Sequence, residues 1–225
     1  RAVAKGTRRS TSHKAGHLDL FMRAELQLAK GRNLDIIIQA ECQENYDALR
    51  SDALRFTYAC YVAELLEYVI REDEQPEVYY LAVDTLRRIN SEANPSIWVR
   101  YFDITLLSYA GFQPDLYHCM RCGREIQAEM NYFSLEQGGL VCPSCYTNRA
   151  LQVSLYAQKL LRFLQRNKPA DISRLTVADT TLGEVEHLML LYWQHVLERE
   201  VKSAVNLRQL QNEMTIQSQP LHTNT

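Results

Sequence analysis

Four of the six cysteines of this chain fall into two pairs with one pattern, Cys119-x2-Cys122 and Cys142-x2-Cys145. Two residues between paired cysteines let both thiolates turn toward a single ion, and a spacer of this length can return the second pair as a hairpin to complete a tetrahedron. The spacer has the composition for it. Tyr132-Phe133-Ser134-Leu135 and Leu140-Val141 read as short strands, and Gly138-Gly139 between them is a hairpin turn dipeptide. The pattern predicts a zinc site. The competing reading is a pair of disulfides, disfavoured in a chain of cytosolic character. Four thiolates close the coordination shell and leave no position for water, so the ion is expected to be structural and not hydrolytic. His118 adjoins the first cysteine and could make a mixed site, but beside four cysteines it reads as a surface histidine. Cys42 and Cys60 have no partner at ligand spacing and read as small apolar residues.

The remainder of the chain divides by hydrophobic period. Leu18, Leu20, Met22, Ala24, Leu26 and Leu28 alternate with polar positions, which predicts a half-buried strand over about 18–30. The isoleucine-rich run after Gly31-Arg32-Asn33 predicts another over 34–43, and Ala2-Val3-Ala4 a first one near 1–6. Because Arg1 leads directly into what reads as the middle of a strand, an absent start is expected. Past Tyr46 the period becomes helical. Leu54, Tyr58, Tyr61, Val62, Leu65, Leu66 and Val69 form the stripe of a core-facing helix, and further helices are expected near 77–89, 96–109, 154–166, 183–201 and 205–212. Residues 215–225 are polar and unpatterned, and a mobile tail is expected there. With 225 residues, 46% of them hydrophobic, the chain can bury a substantial core, and it contains no apolar run long enough to cross a bilayer.

The net charge of −2 excludes attraction of nucleic acid by the chain as a whole, so such attraction must be local. The first 32 positions hold Arg1, Lys5, Arg8, Arg9, Lys14, Arg23, Lys30 and Arg32 against Asp19 and Glu25. Lys5-Gly6-Thr7-Arg8-Arg9-Ser10-Thr11-Ser12-His13-Lys14 combines cations with small residues and hydroxyls, chemistry that suits phosphate oxygens and not base edges. The bland alternative is a solvated loop. Phe21 interrupts the polar face of its strand and is either a stacking platform for a base or a core residue at a bend.

No G-x-x-x-x-G-K-[ST] loop, G-x-S-x-G elbow or H-E-x-x-H helix occurs, and Cys142-Pro143-Ser144-Cys145 lacks the H-x-E partner of a deaminase. His187 and His195 share one predicted helix, eight positions apart, and read as core or surface residues. A non-enzymatic protein is expected.

Several segments, in order, resemble the RecO family of recombination mediators. Ala4-Lys5-Gly6-Thr7-Arg8-Arg9-Ser10 is similar to the family's AKGxRR motif, and Leu18-Asp19-Leu20-Phe21 to the strand after it. Tyr61-Val62-Ala63-Glu64-Leu65-Leu66 resembles its Y-x-x-E-L-L helix. Arg100-Tyr101-Phe102-Asp103 and Gly111-Phe112-Gln113-Pro114 resemble the approach to its zinc module. Cys119-Met120-Arg121-Cys122-Gly123 with Gly138-Gly139-Leu140-Val141-Cys142-Pro143-Ser144-Cys145 is the most specific match, and Glu200-Val201-Lys202-Ser203-Ala204 completes it. Members carry about two strands before the AKGxRR-like run, for which this chain has no room.

The resemblance implies an α+β protein. An incomplete OB-fold β-barrel over 1–45 would precede an α-helical domain over 46–215 with an inserted zinc ribbon-like module at 117–147, and a flexible tail over 216–225. It also implies a cytoplasmic, nucleoid-associated bacterial protein that binds single- and double-stranded DNA and anneals complementary strands. Its partners would be RecR and single-strand-binding protein, with RecA loaded indirectly and no membrane involved. Lys5, Arg8, Arg9, Lys14 and Arg23 are the candidate DNA contacts, and Arg121 and Arg124 either extend that surface or are solvated charges. The rival reading is a zinc-ribbon adaptor for RNA or protein.

Overall fold

The computed structural model describes residues 2–5, 16–70 and 75–218. Strands β1 (Ala2–Val3), β2 (Arg23–Ala29) and β3 (Asp35–Glu44) form an open sheet in the order β1-β3-β2, parallel between β1 and β3 and antiparallel between β2 and β3. β-branched Ile36, Ile37 and Ile38 supply the propensity for β3. Its register with β2 slips between Gln27 and Leu28, so that Ile38 has no partner opposite it. The described strands do not close into a barrel.

Two expectations for this region are corrected. The strand begins at Arg23 and not at Leu18, because Gly16 and Phe21 adopt positive φ and bend residues 16–22 into turns. The even-numbered residues also do not all face a core. Leu20, Leu26 and Leu28 are exposed, since no described layer covers that side of the open sheet. Phe21, bent by its left-handed backbone, packs edge-on against Phe56 at 5.7 Å, which makes it a core contact and not a free stacking platform.

Helices follow: α1 (Asp47–Ser51), α2 (Ala53–Val69), α3 (Pro76–Ser91) and α4 (Pro95–Tyr109). Their starts are written in the sequence. Asp52 caps α2 by accepting from Leu54 N–H and Arg55 N–H at 2.9 and 3.0 Å, and Pro76 and Pro95 occupy first-turn positions where a missing N–H costs nothing. Gly111, at positive φ, ends the α4 segment. Beyond the cysteine region come α5 (Leu155–Arg166, capped by Ser154), α6 (Pro169–Ile172), α7 (Asp179–Leu197) and α8 (Lys202–Ser218). The last helix is longer than its pattern suggests. Glu64 of α2 accepts from the N–H groups of Lys202 and Ser203 and from the Ser203 hydroxyl, supplying the costly first turn, after which each residue adds a hydrogen bond. Residues 215–218, expected in a tail, are therefore helical; 219–225 lie outside the described residues.

The helical core is built on Tyr58, Tyr61, Phe102, Leu106, Met189 and Trp193, all fully or almost fully buried. At its centre Arg100 and Asp103, both completely buried, pair at 3.2 Å. Asp103 accepts from the Tyr61 hydroxyl at 2.9 Å and the Trp193 indole N–H at 3.0 Å. Arg100 donates to the Glu186 carbonyl, and the Glu186 carboxylate accepts from Tyr58 and from Gln211 of α8. Burial pushes the Asp103 carboxyl up and outweighs the opposing pull of Arg100, Tyr61 and Trp193, leaving it raised to about 6. The sheet joins this bundle through Glu44, which accepts from Arg23 of β2 at 2.5 Å, Arg87 of α3 at 2.8 and 2.9 Å, and Tyr46 at 3.1 Å.

Asp103→Ala strands the Arg100 charge and two buried donors, and should cost about 3 kcal/mol in urea unfolding, part of which adding Arg100→Met recovers. A single-variant loss below about 1 kcal/mol would show that the pair is not a buried constraint. Arg87, against burial and with help from Arg23, holds the Glu44 carboxyl down at about 2. A depressed carboxylate stabilises the fold above the unfolded value of 4.5 and loses that contribution as pH falls toward 2. Wild type and Glu44→Gln should thus differ by about 1 kcal/mol at pH 6, draw together as pH falls from 4.5, and converge only as it reaches about 2.

Candidate functional site

The cysteine module hangs between α4 and α5. Strands β4 (Asn131–Ser134) and β5 (Gly139–Val141) form the hairpin expected from Gly138-Gly139, and β6 (Leu151–Val153), which carries no clear period in so short a run, pairs with the other edge of β4. Gly138 has positive φ. Gly139 is required for a different reason. A Cβ there would lie 2.6 Å from the Asp115 carbonyl oxygen and 2.8 Å from Met120 Cγ.

Each cysteine pair sits in a tight backbone turn. Gly123 N–H donates to the Cys119 carbonyl at 2.8 Å, and Cys145 N–H to the Cys142 carbonyl at 2.9 Å through the 3-10 turn Pro143–Cys145. Met120 N–H reaches the Leu140 carbonyl and joins the first turn to the hairpin carrying the second. The four Sγ atoms of Cys119, Cys122, Cys142 and Cys145 all lie within 4.8 Å of one another, with Cys122 and Cys142 at 4.0 Å. Tetrahedral thiolates at about 2.3 Å from an ion stand roughly 3.8 Å apart, so this set fits one metal ion. All six cysteines are free thiols. His118 points elsewhere, its Nδ1 3.4 Å from an Asp115 oxygen.

The electrostatics describe thiols crowded around one point. A hydrogen bond from Arg124 Nε lowers the Cys122 thiol to about 6. Burial pushes Cys119 up, but backbone N–H groups of Cys142, Cys122 and Arg121 outweigh it and lower the thiol. Hydrogen bonding to Cys122 raises Cys145 to about 12. Adjacent thiolates resist ionising together, and a divalent cation resolves that conflict. Arg121 donates to the Cys145 carbonyl at 3.3 Å, so both module arginines serve the cysteine turns directly.

The module is clamped to the bundle by polar contacts that periodicity does not disclose. Buried Asn131 donates to Gln158 of α5 at 3.0 Å, and Gln158 donates to the Glu129 and Val153 carbonyls. Arg162 and Gln165 of α5 donate to the Leu116 and Pro114 carbonyls, while Tyr192 of α7 donates to the Phe112 carbonyl and meets Phe133 edge-on. Polar residues at inward positions of α5 are the signal that could have disclosed the clamp.

The predicted nucleic-acid residues are distributed differently. Lys5 is exposed just after β1. Arg8, Arg9 and Lys14 lie outside the described residues. Arg23 donates to the Tyr79 hydroxyl at 3.3 Å and pairs with Glu44, both of which raise its already high pKa. His187 and His195 line two different cavities. No helix of the described residues is long and apolar enough to cross a membrane.

A family model described as "Recombination protein O C terminal" matches residues 50–204. A protein of a Roseiflexus species named "DNA repair protein RecO" is 38% identical over 207 residues, covering 90% of this chain and 73% of that protein. Proteins of the same name from Dehalococcoides mccartyi and Desulforamulus reducens are 33% and 32% identical, each covering about nine-tenths of this chain and 80% of their own length.

Gly139→Ala should lower the melting temperature by several degrees, since its methyl group displaces the Asp115 backbone, a cost of about 1–3 kcal/mol. Gly183→Ala, at a helical glycine with open space around it, should leave that temperature unchanged or raise it. Equal melting temperatures for Gly139→Ala and wild type would refute the tight approach.

Proposed function

Because the chain belongs to the RecO family of recombination proteins, we propose that it is a DNA-repair recombination mediator that works by binding and annealing strands and not by chemical catalysis. The observation that carries the reading is the likeness to a DNA repair protein along 90% of the chain, too long a match to leave out the cysteine module. In this reading residues 1–45 are an OB-type unit, and 46–215 a helical unit with its metal module at 117–147. The protein acts in the bacterial cytoplasm, with RecR and single-strand-binding protein as partners and RecA as the protein loaded in consequence.

Annealing asks little of chemistry and much of electrostatics. Two complementary strands repel through their phosphates, and a cationic surface lowers that repulsion by releasing condensed counterions. Contacts that are individually weak let the strands slide in search of register. Lys5, Arg8, Arg9 and Lys14, among hydroxyls and glycine, suit phosphate oxygens in this role. Arg23 contributes less, because Glu44 neutralises it.

The metal of the module is proposed to be zinc, held by Cys119, Cys122, Cys142 and Cys145. Four thiolates at tetrahedral spacing suit a d10 ion without geometric preference, and a closed shell supplies folding energy in place of Lewis-acid chemistry.

The purified chain should contain one zinc per molecule, and Cys142→Ser should release it and lower thermal stability; metal-free wild type of equal stability would end the structural reading. Single-stranded oligonucleotide titrated by fluorescence anisotropy should bind in a salt-sensitive manner. Changing Lys5, Arg8 and Arg9 to alanine should reduce the slope of log Kd against log salt by about 2, at roughly 0.7 for each phosphate that is no longer neutralised. Failure of the folded, zinc-loaded wild type to bind or anneal DNA would overturn the mediator reading.

A further inference from the structure

Helix α5 contains Lys159, Arg162 and Arg166 and no acidic residue. At spacings of three and four, these cations occupy one side of the helix. Lys159 and Arg166 are exposed and Arg162 is half-buried. Among the described residues no carboxylate lies within 4.0 Å of any of them, whereas Arg23, Arg50, Arg55, Arg87, Arg88 and Arg149 each have one. Three cations thus share one helix face without a counter-charge.

An aromatic ring holds two of these like charges together. The Arg162 and Arg166 guanidinium carbons stand 5.0 and 4.0 Å from the centroid of Tyr117, whose π-face attracts cations without cancelling their charge. Arg162 is fixed further by its Nε bond to the Leu116 carbonyl, 2.8 Å long, while its buried Nη2 has no hydrogen-bond partner. Tyr156, 71% exposed, stands one turn before Lys159 on the adjoining side.

We infer that this face of α5 is a second binding surface for single-stranded DNA, Lys159, Arg162 and Arg166 holding its phosphates and Tyr156 stacking on a base. The inference rests on the mediator reading and adds a site to it. From Lys159 to Arg166 the helix rises about 10 Å, long enough for its cations to face successive phosphates of one strand. Guanidiniums already oriented by a ring lose little entropy on meeting phosphate oxygens, and an exposed tyrosine beside them is the usual complement for an unpaired base. An acidic polypeptide would satisfy the cations but has no need of the stacking ring. The helix also anchors the cysteine module through Arg162 and Gln165, which makes it a rigid platform and not a loop.

The test uses the full zinc-loaded chain with a fluorescein-labelled oligothymidine, at several salt concentrations. Lys159→Gln with Arg166→Gln removes two exposed cations and keeps good helix formers in place. The control, Arg174→Gln with Arg208→Gln, makes the same change in net charge at two exposed cations on other segments. With melting temperature and zinc content unchanged, the α5 variant should bind about ten-fold more weakly at low salt, and its slope of log Kd against log salt should fall by about 1.4. The control should stay close to wild type, and Tyr156→Ala should weaken binding with the slope unchanged. If wild type binds and the α5 variant matches the control, the inference fails and the mediator reading stands. If wild type does not bind at all, both fall. Unchanged DNA affinity in the α5 variant, together with failure to bind a labelled polyglutamate peptide that wild type binds, would make the face a protein-docking surface and overturn the inference in that way.

Discussion

The helical bundle is organised around a charge that has nowhere to go. Arg100 and Asp103 are fully enclosed, and an ion in such surroundings is tolerated only when its partners are held in place. Those partners come from several helices of the core: Tyr61 from α2, Trp193 and the Glu186 carbonyl from α7, and Gln211 of α8 through the Glu186 carboxylate. Apolar packing alone would let neighbouring helices slide by a turn at modest cost. The buried pair forbids this, because any such slip leaves an unpaired ion or an unpaired indole N–H in the core.

Fixing α7 relative to α4 also fixes the cysteine module. Tyr192 precedes Trp193, so the residue that anchors Asp103 adjoins the one that meets Phe112 and Phe133. Gly138 and Gly139 belong to the same chain of constraints, being the positions at which the hairpin passes the Tyr192 hydroxyl and the Asp115 carbonyl too closely for a side chain. The cysteine turns at the far end have little apolar core of their own, and Cys122 is exposed. A bound ion would close them where packing cannot, as expected of a small, loop-rich insert.

How much of this is legible in the residues differs with the kind of signal. The four cysteines and the hairpin announce themselves locally, and the helices from α2 to α5 lie close to where periodicity places them. The β unit misleads at its start because alternation at Leu18, Leu20 and Met22 is shared by a strand and by turns bent through Gly16 and Phe21. The length of α8 is hidden because its first turn is supplied by Glu64, far away in sequence. Arg100 and Asp103 are visible as a resemblance, yet their burial is not. Charged residues three apart in an apolar helix are compatible with a solvated edge until the faces of its neighbours are known.

The distribution of charge follows the same logic of local compensation. A chain with net charge −2 cannot draw DNA to itself by its overall field, and many of its arginines carry a carboxylate beside them. In the proposed reading, attraction comes from stretches where cations outnumber acids or stand without a carboxylate beside them. One is the amino-terminal run through Lys14, where ten successive positions include four cations and no acid. Another is α5, where tyrosine takes the place a carboxylate holds elsewhere. In the proposed reading, two cationic patches at different places in the chain suit strand annealing better than a single strong one. Tethered contacts act at high effective concentration together, while either can release alone to let a strand shift register.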